Sequence, residues 1–230
     1  MITLDNVTLG QGGFALSADV TFRRGVCTAI MGPSGGGKST LLHGLAGFLP
    51  ARTGRITVAG LDVTDQPPAV RPVSLLFQDN NLFPHMTIAQ NVGLGLRPDL
   101  KLTDDQHVRV EAMLADMGLE GMGARRPAAM SGGQASRAAL ARALLRDKPV
   151  LLLDEPFAAL GPAMRADMMA LLRRVMADKA LTVLIVSHQP EDAARIADDI
   201  AVVAEGRVAP PQDRETLLAN PPGALRDYLG

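Results

Sequence analysis

The sequence predicts an α/β fold built on a parallel sheet, and three observations carry that prediction. Short, continuously apolar runs at Val26 to Met31, Val150 to Leu153 and Thr182 to Val186 read as strands buried on both faces. Helical stretches lie between them, so strands and helices alternate as in a sheet covered by helices. The first of these strands runs straight into Gly32-Pro33-Ser34-Gly35-Gly36-Gly37-Lys38-Ser39, and a helical pattern through Leu41, Leu42, Leu45 and Ala46 follows.

Strand, G-x-x-x-x-G-K-S and helix, in that order, make a phosphate-binding P-loop in its proper context. Glycines at 35 to 37 let successive backbone N–H groups turn toward one oxyanion, which side chains would hinder. The loop ends on a helix N-terminus, whose free N–H groups and dipole favour negative charge. Lys38 is placed to reach β- and γ-phosphates, and the Ser39 hydroxyl to ligate Mg²⁺. The expected cradle is therefore Gly32, Pro33, Ser34, Gly35, Gly36, Gly37, Lys38, Ser39 and Thr40.

Composition narrows the rest. The 230 residues suffice for one well-packed domain, with 47% hydrophobic and 20% charged residues. A net charge of −1, without a long Lys/Arg run, disfavours nucleic acid as the main partner. With no tryptophan and a single tyrosine, Tyr228, there is little aromatic surface for stacking on bases. The one cysteine, Cys27, lies in the first apolar strand, where a thiol is a small packing residue. The N-terminus starts as a strand rather than a signal peptide, and no apolar run reaches bilayer-spanning length. A protein of a reducing compartment is expected.

Along the chain, residues 1–25 read as two strands joined by a Gly10-Gln11-Gly12-Gly13 turn. Pro50 to Gly54 reads as a break, and Arg55 to Val58 as a strand. Prolines at 67, 68 and 72 mark a loop, and Val73 to Phe77 is a short strand that delivers Gln78. Between Ile88 and Arg146 the pattern turns helical, with apolar spacing of the helical period over Asp104 to Met117 and Gly132 to Leu145. Helices at 163–177 and 190–197, a strand at Asp199 to Ala204, and a polar tail with a helix at Arg214 to Ala219 complete the chain. The expectation is one domain, 1–230. Its nucleotide-binding core with the N-terminal β subdomain spans 1–87 and 148–210, a helical subdomain spans 88–147, and a short tail spans 211–230.

Asp154 and Glu155 sit where an apolar strand ends, the edge at which α/β sheets bind ligands. Asp154 can hold the Mg²⁺ shell, and Glu155 can polarise an attacking water as general base. Gln78 and His188 each follow a short apolar strand. Gln78 could contact Mg²⁺ and the water, and His188 the γ-phosphate, although a lone histidine is more often structural. Ser131-Gly132-Gly133-Gln134 begins a helix with a good N-cap and open backbone N–H groups. One chain needs one γ-phosphate site, so a second anion-binding helix start implies service to a neighbouring copy.

Taken in order, the P-loop, Gln78, M-S-G-G-Q, L-L-L-D-E-P and Ser187-His188 resemble the ATP-binding subunits of ABC transporters over nearly the whole chain. The resemblance implies a P-loop NTPase (RecA-like) core, an N-terminal antiparallel β subdomain and an inserted α-helical subdomain. It implies ATP and Mg²⁺ as ligands and a head-to-tail homodimer in which Ser131, Gly132, Gly133 and Gln134 act on the partner's ATP. A membrane permease, a periplasmic binding protein behind it and a place on the cytoplasmic face of the inner membrane come with it. The stretch Arg71 to Leu96 resembles the bacterial importer branch, nearest to thiamine importers. Spermidine, sulfate, iron and molybdate stay open as cargoes, as does a nucleotide switch that hydrolyses poorly. In this resemblance Phe83 and Pro84 help form the groove for a permease helix.

Three positions depart from the family pattern. Gly161 stands where an aspartate is usual. Gln11 stands where an aromatic residue stacks on adenine, with Phe14 the nearest aromatic. Ala135-Ser136 replaces a basic and polar pair, while Arg137 remains.

Overall fold

The computed structural model describes residues 1–10, 12–158, 160–187, 189–223 and 225–226. Its strands are β1 (Ile2–Leu9), β2 (Leu16–Phe22), β3 (Cys27–Met31), β4 (Ala51–Val58), β5 (Leu61–Asp62), β6 (Val73–Leu76), β7 (Val150–Asp154), β8 (Thr182–Val186), β9 (Asp199–Ala204), β10 (Arg207–Val208) and β11 (Gln212–Asp213). Its helices are α1 (Lys38–Ala46), α2 (Ile88–Gly93), α3 (Asp104–Asp116), α4 (Gly132–Leu145), α5 (Pro162–Lys179), α6 (Pro190–Ile196) and α7 (Arg214–Ala219).

Among the described residues the strand order is β5-β4-β1-β2-β10-β9-β3-β8-β7-β6, with β11 added to β9. The β3, β7, β8 and β9 strands run parallel to their neighbours in this central group, and β3, β7 and β8 are buried at every position. That is the reason their sequences carry no polar alternation. By contrast β2 alternates buried and exposed residues, and it pairs antiparallel with β1. The fold is the α/β sheet with an antiparallel N-terminal portion that the sequence predicts.

Two differences have physical causes. The stretch expected to break at Pro50 to Gly54 is already strand from Ala51, because β4 pairs with β1 from Leu9↔Ala51 onward. The turn-like composition marks a bulge instead. Gly54 takes φ 84° there, where a Cβ would crowd the Asp5 and Asn6 carbonyls. The expected polar tail is also partly sheet, since β11 pairs antiparallel with β9 through Gln212↔Ile200 and Asp213↔Asp199.

The chain divides into two compact units, one of Met1–Leu75, Pro149–Glu155 and Arg173–Gly230, the other of Leu76–Lys148 and Pro156–Leu172. In the first, Leu41, Leu42 and Leu45 of α1 share a core with Ile30, Leu152, Leu184 and Val186, which seats the P-loop helix on the sheet. Arg71 is buried against the other end of α1. Its guanidinium donates to the Gly44 and Leu45 carbonyls at 2.8 and 3.0 Å, and to the carbonyls of Thr64 and Gln66. A cation at a helix C-terminus meets the negative end of the dipole. In the second unit α2, α3 and α4 each open with a capping box, Thr87/Gln90, Thr103/Gln106 and Ser131/Gln134.

Candidate nucleotide-binding site

The strand β3 stops at Met31, and the chain turns through Gly32 (φ 143°), Gly35 (φ 75°) and Gly37 (φ 108°) into α1. At Gly32 a Cβ would run into the Val203 carbonyl oxygen, so here glycine is demanded by close approach as well as by φ. Gly37 occupies the N-cap of α1 and offers no side-chain acceptor, so the first-turn N–H groups stay available to an anion. Lys38 is buried, and its ammonium donates to the Gly32 and Pro33 carbonyls at 2.9 Å each. Burial lowers its pKa from the ordinary lysine value, while the charges of Glu155 and Asp154 act the other way.

Ser34, Gly35, Gly37, Lys38, Ser39 and Thr40 line a cavity of about 330 Å³ together with Phe14 and Glu155. Behind it the Ser39 hydroxyl donates to Asp154 Oδ1 at 3.4 Å. Asp154 is the last residue of β7 and is buried. Glu155 follows in a left-handed conformation, φ 50°, with its N–H donated to the Val186 carbonyl at 3.1 Å. That backbone state is uncommon for a non-glycine residue and clusters at functional sites. A second cavity, of about 460 Å³, lies along Pro33 to Gly36 and is bounded by Gly13, Phe14, Ala15, Glu205 and Gly206. Phe14 lines both. Beyond β8, Ser187 donates to Asp192 Oδ2 at 3.1 Å and accepts from the Gln189 N–H at 3.1 Å, forming a tied turn. His188, Gln11 and Ala159 lie outside the described residues.

In the second unit Gln78 is exposed in the turn that follows β6, closed by the Asn80 N–H on the Phe77 carbonyl at 3.0 Å. The α4 start matches expectation. Ser131 Oγ accepts from the Gln134 N–H at 3.3 Å, and Gln134 Oε1 accepts from the Ser131 N–H at 3.0 Å. Gly133 has no room for a Cβ, which would meet Met164 Sδ at 2.6 Å.

The ABC transporter family model matches residues 16–158. The chain belongs to that family. Among its relatives, the thiamine import ATP-binding protein of Cereibacter sphaeroides is 53% identical over 230 residues, 100% of both chains. The protein of the same name in Escherichia coli K12 is 50% identical over 209 residues, 91% of this chain and 90% of that one. A dimeric ATP-binding cassette in a post-hydrolysis state, bound to ADP and Pi, superposes with a TM-score of 0.81 at 27% identity, covering 93% of this chain and 99% of that one. A nucleotide-free cassette from an ABC transporter gives a TM-score of 0.89 at 23% identity over 100% and 99% of the two chains, a likeness of fold.

Against the ABC pattern, Gly161 has an ordinary φ, and the nearest atom to a Cβ built there is Met164 Cε at 4.0 Å. Backbone and packing would accept the usual aspartate. The small Ser136 is buried, and its hydroxyl accepts from Asn80 Nδ2 at 3.2 Å, a contact made with the Gln78 turn. One loop-holding residue was given no role in the sequence reading. Asn91 is fully buried on α2, accepts the Phe83 N–H at 2.7 Å and donates to the Phe83 and Thr87 carbonyls at 3.0 Å each. It thereby fixes the loop that displays Phe83, whose side chain is 46% exposed. The available signal was an asparagine, a poor helix former, on the apolar stripe beside Ile88 and Val92.

Proposed function

We propose that this chain is the ATP-hydrolysing subunit of a thiamine importer. The observation that carries the reading is the meeting of Lys38, Ser39 and Glu155 on one cavity, with Asp154 bonded behind Ser39. The cargo rests on the relatives that match this chain over nearly its whole length, which are thiamine import ATP-binding proteins.

Phosphates bind on the N–H groups of the P-loop and the first turn of α1, and Lys38 turns from its carbonyls to the β- and γ-oxygens. Phe14, which borders both cavities, supplies the aromatic contact to the nucleoside. The donor set suits Mg²⁺. A serine hydroxyl beside a buried carboxylate is a pair of hard oxygen ligands, and Mg²⁺ takes one or two such groups beside phosphates and water. Ser39 and Asp154 would hold the ion, with Gln78 the further ligand that the family resemblance implies, and it would neutralise charge on the transferring phosphoryl group. Glu155 removes the proton of the attacking water, and His188 hydrogen-bonds the γ-phosphate. A second copy completes the site by bringing Ser131, Gly132, Gly133 and Gln134 to the γ-phosphate. Ser131 Oγ accepts one bond from its own helix and keeps its proton for the ligand.

Closure of the homodimer on ATP and its opening after hydrolysis then move a permease docked near Phe83, and a periplasmic binding protein feeds that permease. Among the described residues no helix is long and apolar enough to cross a membrane. On this reading the chain reaches the cytoplasmic face of the inner membrane through its permease. The test is uptake of labelled thiamine by cells lacking this chain, complemented with wild type or Glu155→Gln. Loss of uptake restored only by wild type is expected. Unchanged uptake in the deletion refutes the cargo.

A further inference from the structure

The helix α4 does two things in one body. Its N-terminus carries Ser131 to Gln134, and further along it Arg142 reaches the turn that carries Gln78. Arg142 Nη1 donates to the Asn81 carbonyl and Nη2 to the Asn80 carbonyl, both at 2.8 Å. A fork with two parallel donors fits two successive carbonyls, which a lysine could not do. The peptide it grips is unusual, because Asn80 and Asn81 both take left-handed conformations, φ 57° and 45°. A second tether lies six residues nearer the N-terminus of α4, where Asn80 Nδ2 donates to Ser136 Oγ at 3.2 Å. Among the described residues both of the Arg142 hydrogen bonds go to carbonyls, although the residue is half-buried and that burial lowers its pKa. Desolvating a cation is costly, so its seat on these carbonyls is a specific one. All of these residues lie within one compact unit, Leu76–Lys148.

We infer that Arg142 is a positioning residue that locks the Gln78 turn to the helix beginning at Ser131, so that the two move as one piece. This rests on the reading above, in which Gln78 serves the chain's own ATP and Ser131 to Gln134 the partner's. On that reading the lock carries cooperativity between the two ATP sites of the dimer. ATP at one site sets Gln78, Arg142 transmits the setting to α4, and α4 presents its N-terminus to the other site.

Two measurements test it. Cys27 is the only cysteine, and burial keeps its thiol protonated and inaccessible, so a cysteine placed by D79C takes a nitroxide label selectively. Its spectrum, a report of backbone order in the turn at this exposed position, should gain mobility on adding R142M. S136A, which removes only the lesser tether, should move it the same way but less.

Separately, ATP hydrolysis by the full chain should lose its sigmoidal ATP dependence in R142M, with the Hill coefficient falling toward 1 and kcat dropping about tenfold, while ATP affinity changes less than about threefold. An unchanged spectrum in R142M overturns the lock. A mobile label with unchanged cooperativity overturns its role between sites. If wild-type hydrolysis is absent or independent of Glu155, the proposed function fails, while the label still decides whether the lock exists.

Discussion

Replacing Lys38 by methionine separates binding from stability with opposite expectations. In the structure the ammonium is buried and bonded to two neutral carbonyls, those of Gly32 and Pro33. On the proposed reading, ATP binding trades at least one of these for a phosphate oxygen. A unit charge pair about 4 Å apart at an effective dielectric of about 20 is worth about 4 kcal/mol. The surrendered carbonyl bond returns about 1 kcal/mol. The net loss in K38M is then about 3 kcal/mol, or about 10²-fold in the Kd for ATP. Affinity for AMP, which lacks β- and γ-phosphates, should hardly change.

The free protein should not suffer alike. Methionine keeps the stem packed and removes a buried cation, offsetting the lost bonds to within about 1 kcal/mol, or a Tm shift of a few degrees. Burial sets the folded pKa of Lys38 below 10.5, so near that pH the unfolded chain binds more protons than the folded one. Stability of the wild type relative to K38M therefore rises as pH climbs from the folded pKa toward 10.5. Titration calorimetry with ATP, ADP and AMP, beside thermal melts across that range, is the assay. An ATP Kd within about threefold of wild type would refute the assignment of Lys38 to the phosphates.

Glu155→Gln should retain ATP binding, lower kcat by roughly 10²–10⁴ and run as an ATP-dependent dimer on sizing chromatography; near-normal turnover would remove Glu155 from the base role. Gly161→Asp has open space at its Cβ and places an N-cap acceptor before Pro162, where Gly161 O already accepts the Arg165 N–H at 2.9 Å. Its Tm should rise by about a degree, the few tenths of a kcal/mol that an N-cap gains over glycine. If the missing carboxylate limits turnover, kcat should rise about tenfold, one charge-assisted hydrogen bond; an unchanged rate means that other groups do this work. Asn91→Ala strands the buried Phe83 N–H, while the Phe83 and Thr87 carbonyls keep the backbone N–H groups of Met86 and Asn91, so about 1–3 kcal/mol should be lost. Amide exchange at Phe83 should quicken, and unaltered protection would show that the loop is held by something else.

The parts of the candidate site legible in the sequence are those made by local chain chemistry. Gly32 to Ser39 announced itself because a phosphate cradle needs glycines, a lysine and a hydroxyl in consecutive places on a strand–helix junction. Asp154 and Glu155 were legible because a buried strand ends at them, and Ser131 because a capping box is written three residues apart. The same local logic placed α4 and α7 at their observed bounds. It misread Pro50 to Gly54, where turn-like residues build a bulge that only the pairing with β1 explains. It also missed the attachment of β11, two exposed polar residues whose strand character comes entirely from β9.

What local logic could not supply is the set of polar side chains that hold one loop against a distant element. Arg71 grips the far end of α1 from 26 residues away, and Arg142 grips Asn80 and Asn81 from 62 and 61 residues away. Each donates to backbone carbonyls, acceptors that every residue has, so no partner residue type marks the contact in the sequence. In the Ser136 contact the partner is a side chain, but its meaning changes with structure. A serine in place of a longer polar residue looks like a weakened signature when read along α4. Seen in space, it is short enough to lie buried and receive Asn80. The departures from the family pattern therefore fall into two kinds. Ser136 is compensated by a contact formed in its own unit, whereas Gly161 leaves open space where a carboxylate would fit, and that is where restoring the family residue is most informative.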